Sequence, residues 1–398
     1  MDFNLNATPS GNRVHIGFFG RRNAGKSSLV NAVTGQQLSV VSDVPGTTTD
    51  PVSKAMELLP VGPVVIIDTP GYDDQGELGE KRVGQARRAL NRTDVAVLVA
   101  DATLGLTDTD RTLLKLFEEK GIPYIIALNK CDLAHSEVAS AHPVSAKLGE
   151  GVRELKEKIA LLAQRDAPKA RLVGACVEAL QTVILVTPID ASAPKGRMIL
   201  PQQQVLRDLL DASALTMVVR ESELAAALAR LGGAVDLVIT DSQVFDKVSR
   251  IVPTRVPLTS FSILFAHYKG FLEAAVRGAT ALDRLNAGDL VLMCEGCTHH
   301  RQCGDIGTVK LPNWLSAHAG KDLAFEFTSG GDFPDDLSRY QVIIHCGGCM
   351  LGERELLTRM EAAARQGVPF TNYGVAIAHM NGVLKRSLCL YPALQALL

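Results

Sequence analysis

Aromatic residues are scarce in this chain. One tryptophan and six tyrosines occur in 398 residues, too few to suggest the stacking platforms on which single-stranded nucleic acids are read. Charge is nearly balanced, with 41 Lys and Arg against 43 Asp and Glu, so no bulk field draws the chain to phosphate backbones or anionic lipid. No apolar run approaches the ~20 residues that span a bilayer, and Met1 to Gly11 contains no apolar stretch behind a basic flank. These absences predict a soluble cytoplasmic protein with neither nucleic acid nor membrane as partner. Cysteine is sparse as well. Eight cysteines spread over so long a chain, several of them bunched beside histidines, fit metal binding in a reducing compartment better than a disulfide framework.

At this length the chain calls for two or three domains, and the hydrophobic rhythm divides it accordingly. Arg13 to Gly20, Val64 to Asp68, Val95 to Asp101 and Tyr124 to Asn129 are apolar runs of strand length. Helical segments at Gly79 to Leu90, Asp108 to Lys120 and Leu155 to Gln164 separate or follow them. Such alternation predicts an α/β domain with a parallel sheet covered on both faces. The polar stretch around Pro168 reads as a linker, which makes 1–168 the first domain. A second strand and helix rhythm follows, with strands at Thr182 to Thr187, Leu215 to Arg220 and Val235 to Thr240 and helices after Pro201 and at Glu221 to Leu231. It carries little concentrated polar chemistry, so 169–257 is expected to be an α/β scaffold or dimerisation domain. Two prolines, Pro253 and Pro257, mark the next boundary. The third domain, 258–398, is expected to hold strands at Leu290 to Met293, Leu323 to Phe327 and Val342 to His345, with a helix at Glu353 to Gln366.

The first domain opens with a phosphate-binding loop, Gly20-x4-Gly25-Lys26-Ser27. Its glycines, with Asn23 and Ala24 between them, let backbone amides converge on phosphates. Lys26 reaches the terminal oxygens, and the hydroxyl of Ser27, followed by Ser28 in the same turn, ligates magnesium. Asp68-Thr-Pro-Gly71 ends a strand and offers a carboxylate to the magnesium shell and a glycine amide near the terminal phosphate. Asn129-Lys130-Cys131-Asp132 ends another, and its Asp132 carboxylate can accept both hydrogen bonds from the guanine edge, which adenine cannot match. Ser145-Ala146-Lys147 completes the pocket by offering the Ala146 amide to the guanine carbonyl. Four motifs in this order predict a GTP-binding domain that hydrolyses GTP to GDP and phosphate.

A further segment, Pro45-Gly46-Thr47-Thr48-Thr49-Asp50, should supply the second magnesium hydroxyl from Thr48, with Thr47 as the alternative. Over residues 13 to 165 these motifs resemble the Era and TrmE group of GTPases. That resemblance implies a role for Asn23 in binding a potassium ion that stands in for an arginine finger. Tyr72 follows Gly71 where Ras-like enzymes place a water-orienting glutamine. Slow intrinsic turnover, faster in K+ than in Na+, is the expectation, with Lys26, Asn23, Thr48 and Gly71 as the catalytic set.

The third domain carries Cys297-Thr-His299 and His345-Cys346-Gly-Gly-Cys349. Two thiolates at Cys-x2-Cys spacing chelate one centre, two glycines free the turn, and Cys297 offers a third thiolate. His299 and His345 could fill a fourth position or donate hydrogen bonds around the site; His300 and Cys303 are neighbours without an assigned part. Cys294-x2-Cys297 paired with Cys346-x2-Cys349 would instead make a four-cysteine zinc site. If strand Leu290 to Met293 turns Cys294 into the core, the zinc reading loses a ligand. Cys131, Cys176 and Cys389 are most simply packing residues.

With the GTPase motifs upstream, Cys-x-His followed by His-Cys-x-x-Cys resembles the iron-only hydrogenase maturation GTPases, the HydF family, over all three domains. The resemblance implies a 4Fe-4S cluster held by Cys297, Cys346 and Cys349 with an exchangeable fourth position. It also implies a scaffold that receives a diiron precursor bearing carbon monoxide and cyanide and delivers it to apo-[FeFe]-hydrogenase. Two radical-SAM maturases are implied as upstream partners, and a homodimer is expected through the middle domain. The competing reading is an RNA-modification or ribosome-assembly GTPase with a structural zinc site.

Overall fold

The computed structural model describes residues 8–36, 52–71, 84, 86–134, 138, 140–163, 171–189, 198–296 and 305–398. It divides into two compact units, Met1–Pro168 and Lys169–Leu398. In the first, β1 (Val14–Phe19), β2 (Val52–Leu58), β3 (Gly62–Asp68), β4 (Val95–Asp101), β5 (Tyr124–Asn129) and β6 (Ala141–Val144) form one sheet ordered β2-β3-β1-β4-β5-β6. Only β2 runs antiparallel. All seven residues of β4 are buried because helices cover both sheet faces. Val95, Val97 and Val99 pack with Phe18 and Leu29 on one side, while Ala96 and Leu98 pack with Phe19 and Phe117 on the other. The helix Asp108–Glu119 starts where a capping box forces it to: the Thr107 and Asp110 side chains each bond the other's backbone N–H.

The second unit contains two wholly parallel sheets. One is ordered β10-β9-β7-β8, from β7 (Thr182–Val186), β8 (Leu215–Val219), β9 (Leu237–Thr240) and β10 (Leu258–Ser260). The other is ordered β12-β11-β13-β14, from β11 (Leu290–Glu295), β12 (Ala324–Ser329), β13 (Val342–His345) and β14 (Phe370–Asn372). A single hydrophobic core joins them, taking Val183 and Ile239 from the first sheet, Leu292, Ile343 and Phe370 from the second, and Phe265 and Val276 from helices Phe261–Tyr268 and Leu272–Ala279. The boundary expected at residue 257 therefore falls just before β10, a strand of the middle sheet, and the fold continues across it. Among the described residues no helix is long and apolar enough to cross a membrane.

Candidate functional site

The phosphate loop lies between β1 and the helix Lys26–Thr34. Asn23 adopts φ 63° there, a left-handed geometry that asparagine tolerates better than most residues, and its side chain is exposed. Lys26 is buried, and its Nζ lies 3.7 Å from Asp68 Oδ1. Burial lowers the Lys26 pKa, opposed by the Asp68 carboxylate. Ser27 Oγ donates to Asp68 Oδ2 at 3.2 Å, so the two groups expected around magnesium already share one side of the loop. Gly71 comes so close to the Arg22 backbone that a Cβ there would lie 2.8 Å from Arg22 Cα. The Asp68 strand end is thus pressed against the phosphate loop.

Asn129, at the end of β5, links two base-pocket segments. Its Nδ2 donates to the Ala24 carbonyl at 2.9 Å, and its Oδ1 accepts from the Ala146 amide at 3.0 Å. A guanine carbonyl would have to share or take over that amide. Lys130, at φ 65°, places Nζ 2.6 Å from Asp101 Oδ2. Asp132 is exposed. Ser145 Oγ accepts from the Leu148 amide at 3.2 Å and so shapes the turn that presents Ala146. Gly20, Ala24, Gly25 and Ser28 fall in the same loop and first helical turn. Thr47, Thr48 and Tyr72 lie outside the described residues.

At the carboxyl ends of β11 and β13 sits the cysteine loop. Cys346 Sγ accepts the Gly296 amide at 3.0 Å and the Gly348 amide at 3.4 Å, a donor pattern that favours a thiolate. Burial nevertheless raises the Cys346 pKa, with those two amides opposing it. Burial, with the Cys346 charge, pushes Cys349 up to about 11, and Lys269 opposes the shift. Thiolates are the metal-binding form, and the positive charge of a bound centre would oppose these shifts. Gly348, at φ +62°, packs so near Leu356 that a side chain would collide with it. That proximity explains a glycine in this turn.

His345 is fully buried, and both ring nitrogens are engaged. Nδ1 lies 2.8 Å from the Cys346 carbonyl and Nε2 lies 3.1 Å from Arg359 Nη1. Arginine only donates, so Nε2 accepts and the proton sits on Nδ1. Burial and the guanidinium together push the His345 pKa down to about 3. Arg359 also donates to the Gly330 carbonyl at 2.6 Å and pairs with buried Glu355 at 2.7 Å. Cys294 pairs with His345 in the sheet register. Along β11, Leu292 and Cys294 alternate into the shared core while Val291 and Met293 face the other side. Burial pushes the Cys294 thiol up to about 12. Cys297, His299, His300 and Cys303 lie outside the described residues.

Comparison with known sequences follows this division. The N-terminal part, residues 15–130, matches a family described as 50S ribosome-binding GTPase. Residues 172–270 match the hydrogen maturase F dimerization domain and residues 273–390 the hydrogen maturase F tetramerization domain. These two consecutive models of one family cover more than half of the chain. The chain belongs to the hydrogen maturase F family. Like that family it carries two oligomerisation domains behind a GTPase head.

Curated relatives match this hydrogen maturase F chain through the head. GTPase Der of Kosmotoga olearia is 34% identical over 38% of this chain and 39% of its own length. A tRNA modification GTPase MnmE of Desulforamulus reducens is 38% identical over 30% and 26%, and GTPase Era of Thermotoga maritima 35% identical over 36% and 53%. The chain therefore spans about half, or less, of each of these relatives. Among solved structures, Aquifex aeolicus Era bound to GDP and aluminium fluoride is 20% identical, with a TM-score of 0.34, over 56% of this chain and 98% of that one.

Several supporting residues escape sequence reasoning. Asp101 is signalled only by its place at a strand end, and Glu355 with Arg359 only by an i, i+4 spacing common on exposed helices. Buried Lys269 gives no signal at all; in the fold its Nζ donates to the Leu351 carbonyl beside the cysteine loop.

Proposed function

We propose that this hydrogen maturase F chain couples a potassium-stimulated GTPase to an open iron-sulfur centre that carries a diiron fragment to apo-[FeFe]-hydrogenase. The observation that carries this reading is the Cys346 thiol, held between the amides of Gly296 and Gly348 at the ends of two parallel strands. Such a donor set fits a cluster thiolate. Cys346 and Cys349, with Cys297 from the segment after β11, would hold a 4Fe-4S cluster. When bound, that cluster supplies an iron with an exchangeable position, through which a ligand of the diiron cargo could attach.

The chain's own residues organise this pocket. Gly296 and Gly348 stabilise charge on Cys346, and the Lys269 ammonium offsets charge at Cys349. His345 has spent both nitrogens on Cys346 and Arg359, so we assign it to supporting the loop rather than to the fourth position; His299 stays a candidate for that position. Cys294, turned into the core, is not counted among the ligands, which weakens the four-cysteine zinc alternative.

In the head, Lys26 neutralises phosphate charge, Ser27, Thr48 and Asp68 surround magnesium, and Asp132 with Ala146 reads guanine. Asn23 would offer its exposed carbonyl oxygen to potassium. Nucleotide-dependent ordering of the Thr48 segment would alter contacts with partners, among them two radical-SAM maturases. The RNA-modification or ribosome-assembly alternative draws on the head alone, whereas residues 172–390 follow hydrogen maturase F models.

Anaerobic reconstitution with iron and sulfide, followed by metal analysis and electron paramagnetic resonance, tests the reading. A reducible 4Fe-4S signal that is lost or altered in Cys346→Ala is expected. Colourless protein with stoichiometric zinc would overturn it.

A further inference from the structure

A second group of metal-ligating side chains stands apart from the cysteine loop. Asp283, His318 and His379 come from three separate segments, yet their ligand atoms all lie within 4.8 Å of one another. His318 Nε2 is 2.9 Å from Asp283 Oδ1, and His379 Nε2 is 2.9 Å from Oδ2 and 3.0 Å from Oδ1. A tetrahedral zinc site, with bonds near 2.0–2.2 Å, needs donors about 3.3 Å apart. The two histidine contacts to Asp283 require only a small expansion around an ion, and the two imidazole nitrogens lie within 4.8 Å of each other.

Their placement in the fold adds an independent argument. His318 lies in the last turn of the helix Leu311–Ala319 and His379 in the last turn of Tyr373–Met380. Two helix carboxyl ends therefore converge, each bringing the negative pole of its dipole, and together with Asp283 they form a local field that favours a cation. Topology separates the place from the cysteines. Asp283 precedes β11, and the helix Leu311–Ala319 leads into β12, so this cluster belongs at the amino ends of strands whose carboxyl ends carry the cysteine loop. A strand of six residues sets those ends ~20 Å apart.

We propose that Asp283, His318 and His379 form a binding site for one divalent transition-metal ion of the zinc class, with a fourth position open to solvent. Both imidazoles bind through Nε2, their protons moving through solvent to Nδ1, so two neutral histidines and one carboxylate face the ion. The metal ties together the segments around residues 283, 318 and 379, all within the region matched by the tetramerization model.

Cobalt titration of the full-length chain tests this, because Co2+ reports its ligands by absorption and quenches a nearby indole. The only tryptophan, Trp314, is 38% exposed and sits one helical turn before His318. Wild type and Cys346→Ser should both take up cobalt with nitrogen and oxygen ligand-field bands and quenched Trp314 emission. His379→Ala and His318→Gln should lose one equivalent and the quenching, with affinity falling by more than the ~10–100-fold typical of an outer partner. Retention of that equivalent and of the quenching in both histidine variants would overturn the site. So would spectra showing only thiolate charge transfer. His318→Gln at an exposed helix end keeps the test decisive if His379→Ala fails to fold, and failure here leaves the cysteine reading untouched.

Discussion

Nη1 of Arg359 lies 3.1 Å from Nε2 of His345, and the same guanidinium closes a buried ion pair with Glu355. One side chain thus fixes the tautomer of the histidine that braces Cys346 and neutralises a carboxylate one helical turn away. Arg359→Ala should cost about 3–5 kcal/mol of unfolding free energy, because it strands a buried charge. Urea denaturation checks this. Glu355→Gln combined with Arg359→Met should recover much of the loss, and no destabilisation in Arg359→Ala would remove Arg359 from its bracing role.

Asp101 gives a pH-dependent prediction. Burial raises its pKa, but Lys130 and Thr103 outweigh burial and hold the carboxyl below its usual range. A depressed acid contributes stability that is complete above the usual carboxylate range and is lost as pH falls through its folded value. Asp101→Asn should flatten this acid limb in thermal melts. It should also weaken GTP binding about tenfold, since an unanchored Lys130 leaves the base pocket less ordered.

Cys294→Ala should leave the iron content of reconstituted protein unchanged and cost roughly 1 kcal/mol, the scale of a small core truncation. Metal analysis beside a denaturation curve separates the two outcomes. Loss of iron would make Cys294 a ligand and restore the two-pair pattern.

Asn23→Ala should abolish the difference between GTP hydrolysis rates in potassium and in sodium while leaving GDP affinity within a few fold. Steady-state phosphate release in each salt measures it. Equal wild-type rates in the two salts would deny Asn23 its cation.

What the sequence made legible follows from how local each signal is. The phosphate loop and the Asp68, Asn129 and Ser145 motifs need only adjacent residues, and the fold brings them together around Ala24, Gly71 and Asn129. Strand β2, with its mixed sequence Val-Ser-Lys-Ala-Met-Glu-Leu, escaped because a half-exposed edge lacks the apolar run of a central strand. β10 and β14 are three residues each, too short to show any period. The fate of His345 could not be read either, since its partner Arg359 is fourteen residues away on another element. Asp283, His318 and His379 are separated by tens of residues, and only the folded chain makes them neighbours.

Lys269 stands at the end of the stretch that matches the dimerization model, and its ammonium holds the carbonyl of Leu351, two residues after Cys349 and inside the stretch that matches the tetramerization model. The helix Phe261–Tyr268 immediately before it packs into the core shared by both sheets. Sequence families draw a seam just after this point, yet one hydrophobic core runs across it. A subunit docking against residues 172–270 would press on the same continuous core that lies behind the cysteine loop.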